Sequence, residues 1–328
     1  AEVLRTEQRT TGYDCGERGG LLVREFERRR LWRRVFLVDP DQGTPARVAW
    51  SLSARDRYQD PGDPVTRPTA GGQKVIIQEG DWIYLNGTGS TPQGDRPFLD
   101  RYHWKTGQTE RLFRSAPEGY EKVEGMVGAG GEVWLTKRES RTGPPNYFVR
   151  TGGKTEAREL TRFADPTPQL RKIQKKLVTY RRADGVALSF TLYLPPDYQA
   201  GTRLPTVVWA YPREFADAGT AGQVGGSAER FTTISGTSHL FLLLAGYAVL
   251  DNATMPVVGD PDTANNTYVE QIVSGAKAAI DKAAELGVTD PKRVAVGGHS
   301  YGAFRTATLL AHSDLFRAGI ARSGASNR

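Results

Sequence analysis

Gly298-His299-Ser300-Tyr301-Gly302 sets one serine two residues from a glycine on either side. This G-x-S-x-G spacing carries chemistry when a strand enters it and a helix leaves it, because the tight turn then lifts the serine hydroxyl clear of both elements. The flanks fit. Val294, Ala295 and Val296 form a short apolar run that reads as a buried strand, and Ala303, Ala307, Leu310 and Ala311 recur at helical spacing. Glycines are needed on both sides because a β-carbon there would strike the neighbouring strand or helix. The pattern predicts Ser300 as the nucleophile of an acyl transfer, with the backbone N–H of Tyr301 aimed at the developing oxyanion. A glycine-rich turn that happens to contain a serine is the bland alternative.

An elbow serine needs a base. In hydrolases built on this elbow, an Asp or Glu and then a His follow the serine along the chain. The sole histidine after the elbow is His312, on the helix that starts at the nucleophile and roughly 18 Å away at 1.5 Å per residue. His312 and Asp314 therefore read as an ordinary helix end. His299 lies inside the elbow and is expected to point away from the serine as a packing or supporting residue; His103 and His239 precede the elbow and match no expected position. The sequence carries a nucleophile without its base and reads as part of a longer protein.

The 328 residues that must hold this turn have room for about two domains. A hydrophobic share of 38% and a charged share of 25% permit a real core. The net charge of +7 is spread along the chain with both signs interspersed, and no nucleic-acid-binding motif is visible. The densest basic stretch, Arg28 to Arg34, alternates with apolar residues and reads as a solvated strand face. The single cysteine, Cys15, excludes an internal disulfide framework and leaves the compartment open, with a periplasmic or secreted location favoured over a cytoplasmic one. No apolar run reaches the length of a membrane span; Leu240 to Leu250 is the longest and is interrupted by Gly246. No cofactor or metal signature is present.

Up to about Asp165 the chain reads as β-rich and punctuated by turns. Hairpins are expected over Phe36–Val48, over Leu99–Phe113 through Lys105-Thr106-Gly107, and over Tyr147–Leu160. Further strands are expected at Lys74–Gln78, Trp82–Leu85 and Glu132–Thr136. Short strands in units of about 40–60 residues are the pattern of β-propeller blades, with a sandwich as the alternative. Some three blades fit, so the propeller is expected to be partial. Asp165-Pro-Thr-Pro168 marks the boundary, dividing residues 1–168 from residues 169–328. Beyond it, strands at Leu177–Arg181 and Leu188–Leu194 flank an Asp184-Gly185 hairpin, and buried strands follow at Thr206–Ala210 and Tyr247–Leu250. Thr267-Tyr-Val-Glu270 reads as a capping box opening a helix with Ile272, Val273, Ala276 and Ile280 on one face. With strands at Arg293–Val296 and Ala318–Ala321, the second half reads as an α/β-hydrolase: a mainly parallel sheet with helices on both faces and the catalytic turn at its C-terminal edge.

Leu192-Tyr-Leu-Pro-Pro-Asp-Tyr198, Trp209-Ala-Tyr-Pro-Arg-Glu-Phe215, Gly246-Tyr-Ala-Val-Leu-Asp-Asn252 and Gly297-Gly-His-Ser-Tyr-Gly-Ala-Phe304 together resemble the prolyl-oligopeptidase family of serine peptidases, and within it the glutamyl-endopeptidase-like branch. The resemblance covers essentially the whole chain: late propeller blades, then the first half of the hydrolase domain. It implies that the missing Asp and His lie beyond Arg328, in the rest of the polypeptide or in a second chain, and that earlier blades precede Ala1. It also implies a second oxyanion donor, the hydroxyl of a tyrosine just after the third strand, for which Tyr211 is the matching residue; a core aromatic at a strand end is the alternative. Cleavage after acidic residues, the habit of that branch, requires a cation near the scissile bond. Arg213, on a loop expected to overhang the site, is the candidate, set against an arginine simply paired with Glu214 or another carboxylate. Arg305 departs from the family, which usually has an apolar residue there.

The expected function is a serine peptidase that cleaves oligopeptides through an acyl-enzyme, with the propeller limiting access to short or unfolded peptides. A non-catalytic propeller that binds a partner beside an inert hydrolase remnant is the alternative. Within the enzyme class, an acylaminoacyl- or dipeptidyl-type peptidase or an esterase of the same fold also remains open. Peptides are the expected partners, and neither nucleic acid nor membrane is; a homo-oligomer is left open.

Overall fold

A computed structural model describes residues 2–324 apart from 42, 44, 129, 130, 153 and 155. The chain forms two compact units, one built from residues 1–91, 95–164 and 229–231, the other from 92–94, 165–228 and 232–328. The main division falls between Ala164 and Asp165.

The first unit is all β and consists chiefly of three antiparallel sheets, in agreement with a partial propeller. Arg9–Cys15, Leu21–Glu27, Trp32–Val38 and Arg47–Ser53 form the first, in sequence order. The second runs Thr109–Arg114, Phe98–His103, Trp82–Gly87, Asp63–Pro64, with Gln78–Glu79 also on Trp82–Gly87. The third is Tyr120–Met126, Val133–Glu139, Asn146–Thr151 and Ala157–Glu159. The expected hairpin through Gly107 forms, its left-handed φ of 78° suiting glycine. The turn of the hairpin over Tyr147–Leu160 contains Gly153 and Thr155, which lie outside the described residues. Arg28 to Arg34 is not one strand: residues 28–31 make a turn, with Leu31 at φ 50°, and the strand begins at Trp32.

Arginines recur on the blade faces with a ring on one side and a carboxylate on the other. Arg101 lies 4.4 Å from the Trp82 ring and bonds Glu110; Arg111 lies 4.3 Å from Phe98 and bonds Asp100. Arg138 and Arg150 stack on Phe148 and Phe113 while both bind the buried Glu121. Burial acts to raise the Glu121 carboxyl, but the hydrogen bonds from Arg150, Thr136 and Arg138 outweigh it and hold the group below its usual range.

The second unit is a six-stranded sheet. Its strands are β1 (Gln174–Arg181), β2 (Ala187–Leu194), β3 (Leu204–Trp209), β5 (Ala248–Asp251), β7 (Thr289–His299) and β8 (Ala318–Arg322), ordered β1-β2-β5-β3-β7-β8. Pairs from β5 onward are parallel, while β1/β2 and β2/β5 are antiparallel. Two three-residue strands, β4 (Arg213–Phe215) and β6 (Pro256–Val258), pair apart from it. The helices α1 (Tyr268–Glu285) and α2 (Tyr301–His312) share one core with Val208, Ala248, Leu250, Val294 and Val296. On α1 that core takes Ile272, Ala276 and Ile280, as the spacing predicts; burying a large aliphatic side chain such as Ile272 stabilises by about 1.5–3 kcal/mol. A separate cluster joins Val249 to Leu240 and Leu243 of a 3₁₀ segment over His239–Ala245.

The expected capping box at Thr267–Glu270 does not form. A 3₁₀ turn over Ala264–Thr267 runs directly into α1, and the Tyr268 N–H bonds the Asn265 carbonyl. The Thr267 hydroxyl instead donates to the Ala264 carbonyl at 3.2 Å and accepts from the Gln271 amide at 2.9 Å.

Candidate active site

β7 enters the site and α2 leaves it, so Ser300 stands at the junction that the pattern requires. Its backbone is at φ 55°, ψ −120°, a left-handed conformation that costs a non-glycine residue about 1–3 kcal/mol. The surroundings enforce it. A β-carbon on Gly298 would come within 2.5 Å of the Gly302 carbonyl carbon, and one on Gly302 within 2.6 Å of the Ala210 oxygen. Three backbone segments therefore meet with no side chain between them. The Ser300 N–H bonds the Arg322 carbonyl of β8 at 2.9 Å, and the Ala303 N–H bonds back to the Ser300 carbonyl at 2.9 Å. The serine side chain is exposed. As the first residue of α2, Tyr301 has an N–H with no intrahelical acceptor, beside the serine and at the positive end of the helix dipole.

Tyr211 follows β3 and lies at the elbow, its ring edge-on to Tyr301 with centroids 5.9 Å apart. It is 49% exposed, so the core-aromatic reading does not describe it. The Tyr301 ring is held by Glu214, to which its hydroxyl donates at 2.8 Å, and by Tyr268 and Phe304 at 6.2 and 6.0 Å between centroids. Burial, followed by the Glu214 hydrogen bond, pushes the Tyr301 phenol far up, so it stays protonated. Arg213 is not on a loop: it opens β4, in register with Pro256 of β6. Its side chain is exposed and forms no ion pair among the described residues, while Glu214 faces Tyr301 instead. That Glu214–Tyr301 contact links positions 87 apart, and no local pattern announces it.

The histidines sort differently from expectation in one case. His299, the last residue of β7, is exposed and so is not a packing residue. His239 pairs its Nε2 with Asp251 Oδ1 at 2.7 Å and stacks on Trp209 at 4.3 Å, the rings nearly parallel at 4°. His103 sits in the first unit against Trp82, and His312 ends α2. Among the described residues no histidine hydrogen-bonds the Ser300 hydroxyl.

Arg305 is wholly buried. Its Nη2 donates to the Gly297 carbonyl at 2.7 Å and its Nη1 to Met255 Sδ at 3.0 Å, while Nε has no hydrogen-bond partner among the described residues. Burial pushes the guanidinium down to about 10, so it remains cationic at neutral pH.

A strained serine thus stands between a strand and a helix with helix-terminal amides beside it, and the fold is an α/β-hydrolase joined to a partial β-propeller. The chain matches the prolyl oligopeptidase family over residues 261–328. It is 41% identical over 333 residues to the "Probable glutamyl endopeptidase, chloroplastic" of Oryza sativa subsp. japonica and 39% identical to the protein of that name in Arabidopsis thaliana. Each alignment takes in 96% of this chain and 35% of the relative, so the chain spans about a third of their length. Among solved structures, Porphyromonas gingivalis dipeptidyl peptidase 4 superposes with a TM-score of 0.60 at 14% identity, over 99% of this chain and 50% of that one.

Proposed function

We infer that these residues belong to a serine peptidase in which Ser300 attacks the peptide carbonyl to give an acyl-enzyme that water then releases. The observation that carries this reading is the conformation of Ser300, strained and exposed between two glycines that no other residue could replace without moving the backbone. The Tyr301 N–H and the Tyr211 hydroxyl are the oxyanion donors. In the full-length polypeptide, an alkyl phosphonate fluoride is expected to add one mass label to the peptide containing Ser300. Labelling elsewhere, or none while peptide hydrolysis proceeds, would overturn the assignment.

The relatives' names support a preference for glutamate, and Arg213 is the proposed reader of its side chain. An exposed guanidinium without a carboxylate partner is available for bidentate pairing with a substrate carboxylate. Arg213→Gln is expected to lower kcat/KM about 10- to 100-fold for a Glu peptide, the scale of one charged hydrogen bond. Matched Gln and Ala peptides should be unaffected. Equal losses on all three substrates would make Arg213 structural.

A further inference from the structure

Every local consideration weighs against Arg305. A cation removed from water carries a desolvation cost that only a good partner offsets. This one has no carboxylate among the described residues, and its Nε is unpaired. It also sits near the N-terminus of α2, where the helix dipole disfavours positive charge. Since the side chain is 0% exposed, no group can reach it without displacing the residues that enclose it.

What the guanidinium touches is specific. The Gly297 carbonyl that receives Nη2 also receives the Ala210 N–H at 3.2 Å. Gly297 lies three residues before Ser300, and Ala210 immediately precedes Tyr211. One carbonyl thus ties together the strand ends that carry the serine and the tyrosine, and the arginine caps it. The same contact leaves a positive charge with no carboxylate partner among the described residues beneath the elbow, on the order of 10 Å from the serine.

We propose that Arg305 is a positioning residue of the acyl-transfer site: it fixes the Gly297 carbonyl between the two strand ends, and its unbalanced charge favours the anion that forms above it. This rests on Ser300 as the nucleophile. At that separation and an effective dielectric constant of 20, loss of the charge is worth about tenfold in rate.

Arg305→Met and Arg305→Lys in the full-length polypeptide provide the test, read as kcat, KM and melting temperature on one peptide. The methionine variant is expected to lose about tenfold in kcat at unchanged KM, while melting at or above the parent temperature because the buried charge is gone. The lysine variant, which keeps a charge, is expected to recover most of the rate. A packing role would move stability and rate downward together, and would spare neither variant. Parental kcat in the methionine variant, or equal losses in both, overturns the proposal. Absence of peptide hydrolysis in the parent polypeptide would instead strike at the peptidase reading itself.

Discussion

Ser300→Ala in the full-length polypeptide is expected to abolish peptide hydrolysis, with a loss of about 10⁶-fold in turnover, the scale seen when a serine peptidase loses its nucleophile. The fold should be untouched. The hydroxyl makes no side-chain capping bond to α2, and its exposed position means that no buried cavity is left behind. Alanine keeps the β-carbon, so the left-handed backbone at φ 55° remains as strained as before. Rate and melting temperature should therefore separate completely. Hydrolysis persisting in the alanine variant would transfer the chemistry to another residue.

Tyr211→Phe carries the second-largest expected effect. The ring would keep its edge-on contact with Tyr301, and the lost hydroxyl makes no hydrogen bond among the described residues. Its removal should cost the resting protein nothing. If that hydroxyl donates to the oxyanion, kcat should fall about 10²–10³-fold with KM little changed, because the bond forms only as charge develops. A phenylalanine variant at full rate would remove Tyr211 from the oxyanion site and leave the second donor unassigned.

The elements legible in the sequence are those that short-range chemistry dictates. Gly107 and Gly185 mark hairpins because their turns need left-handed φ, and Ser300 is found because strand, glycines and helix are contiguous. The face of α1 follows from its spacing of apolar residues. Partner choice is another matter. Glu214 bonds Tyr301 rather than Arg213, and His239 bonds Asp251 beneath Trp209, because tertiary packing decides which polar groups meet. Thr267 shows the same limit at close range: the residues of a capping box are present, but the preceding turn gives its hydroxyl other partners. The odd residue at 305 is visible in the sequence, but its complete burial is not.

The contact between Gly298, Gly302 and Ala210 has a consequence for how such a site diversifies. Backbone lies directly on backbone there, so the scaffold of the chemistry offers selection almost no single-step variants. An outward-facing side chain such as Arg213, three residues beyond Ala210, leaves that rigid seam unfilled. Replacements at exposed positions leave the seam in place, whereas any side chain added within it must move backbone.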